Sequence, residues 1–416
     1  NTGLDGHIGG HYLSALANMY AATGNKEVHR RLTYMIDWID SCQRKNANGY
    51  ISGVPGGKII WNEIAQGKIN ANAFGLNNRW VPLYNIHKLF AGLRDAYLVA
   101  GNEKAQNMLI KLADWFMQTT GGLTDVQIQD MLRSEHGGIN EIFADVSAIT
   151  GDKKYLEMAK KLSHRKLLNP LLHNQDSLTG MHANTQIPKV VGFQRIAALS
   201  GDTSWSNAAI SFWTTVVHDR SVSIGGNSVR EHFHPSTDFS SMINDVQGPE
   251  TCNTYNMLRL TEQLFLSYPR GLLMDYYEKA LYNHILSSQH PNGGFVYFTP
   301  MRPQHYRVYS QPQESFWCCV GSGIENHGKY GALIYAHDAN KLYVNLFIPS
   351  RLEWKEKGMT LVQETKFPAE ETSNLKLTLD KPQELAIHIR YPSWVAKGEM
   401  QVMVNGKKWT TGNEES

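Results

Sequence analysis

Three of the four cysteines in this chain sit in two short motifs. Cys318 and Cys319 are neighbours in QESFWCCVGSGIENHGKYG, residues 313–331. Cys252 lies in GPETCNTYNMLRL, two residues after Glu250. Three thiols and a carboxylate are the donors of a four-coordinate, borderline-soft site, for which zinc is the default occupant and one cysteine a reactive ligand. Residues i and i+2 do not share a helix face, so Glu250 and Cys252 can meet one ion only where regular helix has barely begun. Gly248-Pro249 places them there, and Met257, Leu260, Leu264 and Phe265 supply the packed face that follows. A helix N-terminus favours anions and lowers a thiol's pKa. Neighbouring side chains on a strand point apart, so Cys318 and Cys319 read as a glycine-rich turn leading into a helix. The competing readings are a disulfide from Cys252 to either neighbour, a bridge within the pair, a purely structural zinc site, and buried inert thiols. Cys42, in WIDSCQRKN at a helix end, has no partner motif and reads as structural.

The elements that must position these groups repeat. ATGNKEVHRRL, VAGNEKAQNML, ITGDKKYLEMA and LSGDTSWSNAA each put a glycine (Gly24, Gly101, Gly151, Gly201) between two apolar helical patterns. Glycine suits a left-handed helix end, and the Asn or Asp that follows suits the next N-cap. Leu13, Leu16, Ala17 and Tyr20 share one helix face. Leu89, Leu93, Ala96 and Tyr97 share another, and Ile142, Val146 and Ile149 a third. A further pair is expected around 250–267 and 271–287. Antiparallel pairs repeated in this way bury their inner faces by closing into a ring, so the expected fold is an (α/α)6 toroid of six hairpins, some supplied by sequence outside this chain. The opposite hairpin ends carry loops rich in Gly, Asn and His: GKINANAFGLNNRWVPLYNIHK, SEHGGINE, TGMHANTQIPK and GGNSVREHFHP. Function concentrates in such loops. After residue 290 the pattern changes to short alternating runs from GGFVYFTPM to EMQVMVNGKKW, the signature of a β-sandwich. One more barrel helix is expected at about 324–336. The boundary is placed near 338, giving a barrel over 1–338 and a sandwich over 339–416.

Bulk composition narrows the classes. A 416-residue chain with 42% hydrophobic and 19% charged residues is an ordinary globular balance. A net charge of +2 argues against nucleic acid and anionic membranes. No apolar run approaches the about 20 residues of a membrane span, and four cysteines do not make a disulfide scaffold. The start shows no signal-peptide pattern and both ends read as mid-domain, so more chain is expected on either side. Ten Trp and nineteen Tyr suit sugar stacking and core packing alike.

GPETCNTYNMLRL, WCCVGSGIENHGKYG, GGNSVREHF, MHANTQIPK and LDGHIGGHYLSALA together resemble glycoside hydrolase family 127 and its relative family 146, the β-L-arabinofuranosidase group. The resemblance implies an (α/α)6 barrel with β-sandwich domains. It implies zinc on Glu250, Cys252, Cys318 and Cys319, with Cys318 as nucleophile and Glu231 as general acid/base, and Tyr297 near the nucleophile. It further implies His87 and His182 as sugar ligands. A third such histidine is not matched, because Ile139 stands in its place, which leans toward family 146. From residue type alone, Asn140 and Glu141 are candidates for sugar hydroxyls; Trp80, Trp317 and Tyr84 could stack on a ring. His7 and His11 read as structural or sugar-binding.

A retaining glycosidase needs a nucleophile facing an acid/base, and the latter needs a raised pKa to donate a proton. The expected activity is release of terminal β-L-arabinofuranosyl residues from plant-type glycans, with a periplasmic or secreted location following from that substrate. The rival expectations are a carbohydrate-binding protein with structural zinc, and an epimerase or lyase on the same scaffold, neither of which needs a reactive thiolate.

Overall fold

The computed structural model describes residues 6–409. Its helices are α1 (His7–Thr23), α2 (Lys26–Asn46), α3 (Gly57–Ala65), α4 (Pro82–Leu98), α5 (Glu103–Thr120), α6 (Asp125–Met131), α7 (Ile139–Thr150), α8 (Lys153–Lys161), α9 (Arg165–Leu172), α10 (Ala183–Ser200), α11 (Thr203–Asp219), α12 (Ser240–Asn244), α13 (Thr251–Ser267), α14 (Gly271–Ala280) and α15 (Cys318–Asn326). The four glycine joints form as expected. Gly24, Gly101, Gly151 and Gly201 all take φ between 63° and 74°. The side chains of Asn25, Asn102, Asp152 and Asp202 then accept from the first turns of α2, α5, α8 and α11.

Two compact units divide the chain. The first runs to Gln263 and resumes over Ala280–Lys329. Within it α1 packs on α4, α4 on α7 and α7 on α10. Asn256 of α13 donates to Asn184 of α10 at 2.8 Å, Tyr255 of α13 donates to Glu325 of α15, and Glu325 meets His11 of α1 at 2.5 Å. These links close an inner ring of six helices, with α2, α5, α8 and α11 packed against its members. Leu13, Leu16 and Ala17, Leu89, Leu93 and Ala96, and Ile142 and Val146 are all buried, as their spacing requires. The α1–α4 crossing is closest at Gly10 and Gly92. A Cβ at Gly10 would lie 2.0 Å from the Lys88 carbonyl oxygen, and one at Gly92 would lie 2.6 Å from that of Gly10.

The second unit comprises Leu264–Lys279 and the chain from Tyr330. Two small strands, β1 (Gly75–Leu76) and β2 (Arg79–Trp80), belong to the first unit; the rest lie here: β3 (Tyr335–His337), β4 (Lys341–Val344), β5 (Ser350–Trp354), β6 (Met359–Thr365), β7 (Ser373–Leu379), β8 (Ala386–Ile389), β9 (Val402–Val404) and β10 (Lys407–Trp409). One sheet has the order β3-β4-β8 and the other β5-β6-β7. Leu342 from the first and Trp354, Met359 and Leu361 from the second share one core, the arrangement of a sandwich. Arg390, just past β8, pairs with Asp275 at 3.0 Å and Glu278 at 2.5 Å, which explains why that helical segment goes with the strands. GGFVYFTPM, expected as a strand, makes only isolated bridges. The helix expected at about 324–336 begins earlier and ends at Asn326, because Gly328 and Gly331 follow and Tyr335 already enters β3. Among the described residues no helix is long and apolar enough to cross a membrane.

Alanine in place of an interior helical glycine normally stabilises, by about 0.5–1 kcal/mol. At Gly10 the obstacle is backbone, which cannot swing away. Gly10→Ala should therefore lower stability by about 2–3 kcal/mol in urea unfolding. Gly24→Ala, strained in φ but sterically open, should cost only about 1 kcal/mol.

Candidate active site and metal centre

Glu250, Cys252, Cys318 and Cys319 converge, with one ligand atom from each lying within 4.8 Å of the others. Cys319 Sγ is 3.1 Å from Cys252 Sγ and 3.5 Å from Glu250 Oε1, and Cys318 Sγ is 3.8 Å from the same oxygen. All four cysteines of the chain are free thiols. Local structure accounts for the meeting. Thr251 opens α13, so Glu250 and Cys252 flank its first residue. Cys318 and Cys319 are not in a turn, as expected, but are the first two residues of α15. That helix tolerates Gly321 and Gly323 because other rings occupy the space: a Cβ would fall 2.2 Å from His11 and 2.7 Å from Phe295. Two helix N-termini thus face one cluster of acidic groups.

Burial sets the electrostatics. Glu250, Cys252 and Cys319 are buried and Cys318 is partly open. Burial, then the charge on Cys318, pushes the Glu250 carboxyl well up. Burial likewise raises the Cys252 and Cys319 thiols, whereas hydrogen bonds from Cys252 and Cys319 hold Cys318 well below an ordinary thiol. Within the cluster, negative charge is thus favoured on Cys318, its least buried sulfur. Glu250 Oε2 is buried with no hydrogen-bond partner. Four acidic donors, one oxygen left unpaired and a dry setting fit a thiophilic dication.

Tyr297 connects this cluster to Glu231. The Thr251 N–H donates to the Tyr297 carbonyl at 2.9 Å, which pins that residue beside the start of α13. The Tyr297 hydroxyl donates to Glu231 Oε1 and lies 3.7 Å from Cys318 Sγ. The Cys318 sulfur and the Glu231 carboxyl therefore stand one phenol oxygen apart. Glu231 has φ 67°, with Ser228 at 75° and Arg230 at 47° in the same loop. Left-handed backbone at non-glycine residues is strain, and strain gathers at functional sites. His182 caps α10: its Nδ1 accepts from Thr185 N–H at 3.2 Å. That fixes the proton on Nε2, which faces Glu231 Oε2 at 3.6 Å.

Glu231 does not have the raised pKa expected of it. The His182 interaction, against burial and with help from Tyr297, lowers it. Burial opposes a charge on His182, but Glu231 and the field of Glu135 outweigh it and raise the imidazole.

Of the other expected residues, Tyr84, His11 and Trp317 lie beside the thiol cluster. Asn140 is buried, donating to the Lys189 carbonyl at 3.0 Å and to Ser163 at 3.3 Å. Glu141 is bound by Arg259 at 2.6 and 2.7 Å and by Arg94 at 3.0 Å. Both are buried and engaged by residues of other segments of the ring. His87 is fully buried beneath Gly137, whose Cβ would lie 2.2 Å from its ring. His11 is engaged by Glu325 and Tyr84 is buried beside it, 3.4 Å from Nε2. Trp317 packs edge-on against Tyr297, Trp80 is exposed, and Cys42 lies exposed on α2. Sequence reading passed over Glu135. Burial raises its carboxyl to about 7, and the charges of His182 and Cys318 act on it. Its position in SEHGGINE, one of the polar loops, was the available signal.

Known proteins resemble the chain along most of its length. The family model described as "Beta-L-arabinofuranosidase, GH127 catalytic domain" matches residues 1–332, and the corresponding middle domain matches 341–416. A non-reducing end β-L-arabinofuranosidase of Bifidobacterium longum subsp. longum is 24% identical over 360 residues, covering 74% of this chain and 53% of that protein. The chain thus spans about half the length of this curated relative. The crystal structure of a β-L-arabinofuranosidase from Geobacillus stearothermophilus T6 superimposes with a TM-score of 0.76 at 20% identity, covering 96% of this chain and 67% of that one. A β-arabinofuranosidase of the same family gives 0.75 at 19% identity, covering 97% and 67%.

Removing Glu141 would leave two buried guanidinium groups short of a partner. Glu141→Ala should cost about 3–5 kcal/mol of stability, read by chemical unfolding, with KM little changed for the protein that remains folded. A raised KM at unchanged stability would return Glu141 to the sugar.

Proposed function

The chain belongs to glycoside hydrolase family 127, and on that premise we propose that it is a retaining exo-glycosidase releasing β-L-arabinofuranosyl residues from plant-type glycans. Cys318 is the nucleophile and Glu231 the acid/base. The observation that carries the reading is Tyr297 bridging the two: a lowered-pKa thiol on one side, a strained, hydrogen-bonded carboxylate on the other.

In the first step the Cys318 thiolate attacks the anomeric carbon, forming a C–S bond as the C–O bond to the leaving group breaks. The leaving oxygen takes the proton held by Glu231. In the second step Glu231 accepts a proton from water, the water oxygen bonds the anomeric carbon, and the C–S bond breaks to return the thiolate. His182 and Tyr297 favour the carboxylate form of Glu231, which suits the second step. In the first step the protonated state must be reached against them, so substrate has to displace part of that hydrogen bonding. Glu250, Cys252, Cys318 and Cys319 would hold zinc. When bound, zinc would keep the cluster deprotonated and make the sulfur a better leaving group. A binding protein with a purely structural metal would not need the open, low-pKa sulfur to face Glu231.

Cys318→Ala and Glu231→Gln should each lower kcat by at least about a thousandfold with the fold retained by circular dichroism. Metal analysis should find about one zinc per chain, lost in Cys252→Ser. Full activity in Cys318→Ser would remove the nucleophile assignment. His182→Asn keeps an N-cap but removes the group that depresses Glu231. The proton on Glu231 should then persist to higher pH, and the alkaline limb of kcat/KM should move up. A limb that stays in place would detach His182 from the acid/base.

A further inference from the structure

The proton that Glu231 delivers goes to the glycosidic oxygen, and that oxygen leaves with the aglycone. Whatever lines Glu231 on the side away from Cys318 therefore touches the aglycone. Tyr297 takes Oε1 on the Cys318 side, and Oε2 faces His182 at 3.6 Å. Two rings meet His182 edge-on: Phe74 at 5.1 Å and 77°, and His232 at 5.3 Å and 87°.

Phe74 is 37% exposed, although its backbone is tightly fixed. It precedes β1 in a hairpin turned by Asn77 and Asn78, both left-handed at φ 49° and 59°. The Val81 N–H donates to the Phe74 carbonyl at 2.9 Å, and the Phe74 N–H donates to Asn72 Oδ1 at 3.0 Å. The Glu135 N–H donates to the Ala73 carbonyl at 2.9 Å. Asn77 also donates to Glu63 at 3.0 Å, and Arg79 to the Pro55 carbonyl at 3.0 Å. A rigid backbone that leaves an apolar ring open beside a carboxylate is a prepared surface, because rigid aromatic groups bind at small entropic cost. His232 is exposed, and its Nδ1 is 2.6 Å from the Arg230 carbonyl. A carbonyl only accepts, so the proton sits on Nδ1 and Nε2 is left as an acceptor. The neighbours of His182 thus offer an apolar plate and a hydroxyl acceptor, the combination that recognises a sugar ring.

We propose that Phe74 and His232 form the subsite for the aglycone sugar, Phe74 stacking on its apolar face and His232 Nε2 accepting from one of its hydroxyls. The inference rests on the reading of Glu231 as acid/base.

The test compares methyl β-L-arabinofuranoside, which has almost no aglycone, with a β-L-arabinofuranosyl disaccharide. Wild type should cleave both and prefer the disaccharide. Phe74→Ala should reduce the disaccharide-to-methyl ratio of kcat/KM about tenfold, the scale of one lost stacking contact, chiefly through KM. Phe74→Trp should restore it, and His232→Ala should lower it about fivefold, the scale of one hydrogen bond. A ratio unmoved in both alanine variants, with both glycosides still cleaved, overturns the subsite alone. The same holds if the two rates fall in parallel, since Phe74 would then act only by holding His182. A wild type that cleaves neither glycoside overturns the Glu231 reading, and this subsite with it.

Discussion

Four acidic groups share a pocket that water scarcely enters, and most of the architecture follows from keeping them together. Glu250, Cys252 and Cys319 are buried, and burial disfavours charge on each. Two devices offset this. The N-termini of α13 and α15 bring the positive ends of two helix dipoles to the same point. The neighbouring Cys252 and Cys319 thiols lower the pKa of Cys318, which favours charge on the least buried sulfur. A dication at the cluster would relieve the remaining repulsion.

The fold was legible where local chemistry decides structure. Gly24, Gly101, Gly151 and Gly201, each followed by Asn or Asp, marked the helix joints because that pairing serves little else. The apolar faces of α1, α4 and α7 followed from spacing. Glu250 and Cys252 at a helix start were legible from Gly-Pro. The start of α15 was not, since its interior glycines read as a turn. Their reason is tertiary: His11 and Phe295 fill the space a side chain would need. The partners of Asn140 and Glu141 were not legible for a related reason. A polar residue on a tight loop looks the same in sequence whether it meets a ligand or, like Glu141, two arginines from other helices. Glu231 was found through its motif, but the sign of its pKa shift was not, because His182 and Tyr297 lie 49 and 66 residues away in sequence.

Strain and rigidity divide the rim of the site between them. Ser228, Arg230 and Glu231 hold left-handed backbone, while the loop is tied down by Asn253 to Ser228 at 2.7 Å and Arg230 to Asp245 at 2.5 Å. Across from it, the 70–81 hairpin is fixed by backbone and side-chain bonds along its length. The carboxylate is thereby aimed by conformation rather than by packing of its own side chain, which leaves it free to exchange partners when a proton moves.

The ionic links between inner helices bear on how the ring assembles. Glu141 of α7 needs Arg94 of α4 and Arg259 of α13, and Glu325 of α15 needs His11 of α1 and Tyr255 of α13. None of these partners comes from a sequence neighbour. A ring lacking α1, α4, α7, α13 or α15 would leave a buried ion short of a partner, a penalty larger than most local packing could offset. Half-built toroids are therefore poor resting places, and the ring should come together in an all-or-none fashion, its charges acting as a check on completeness.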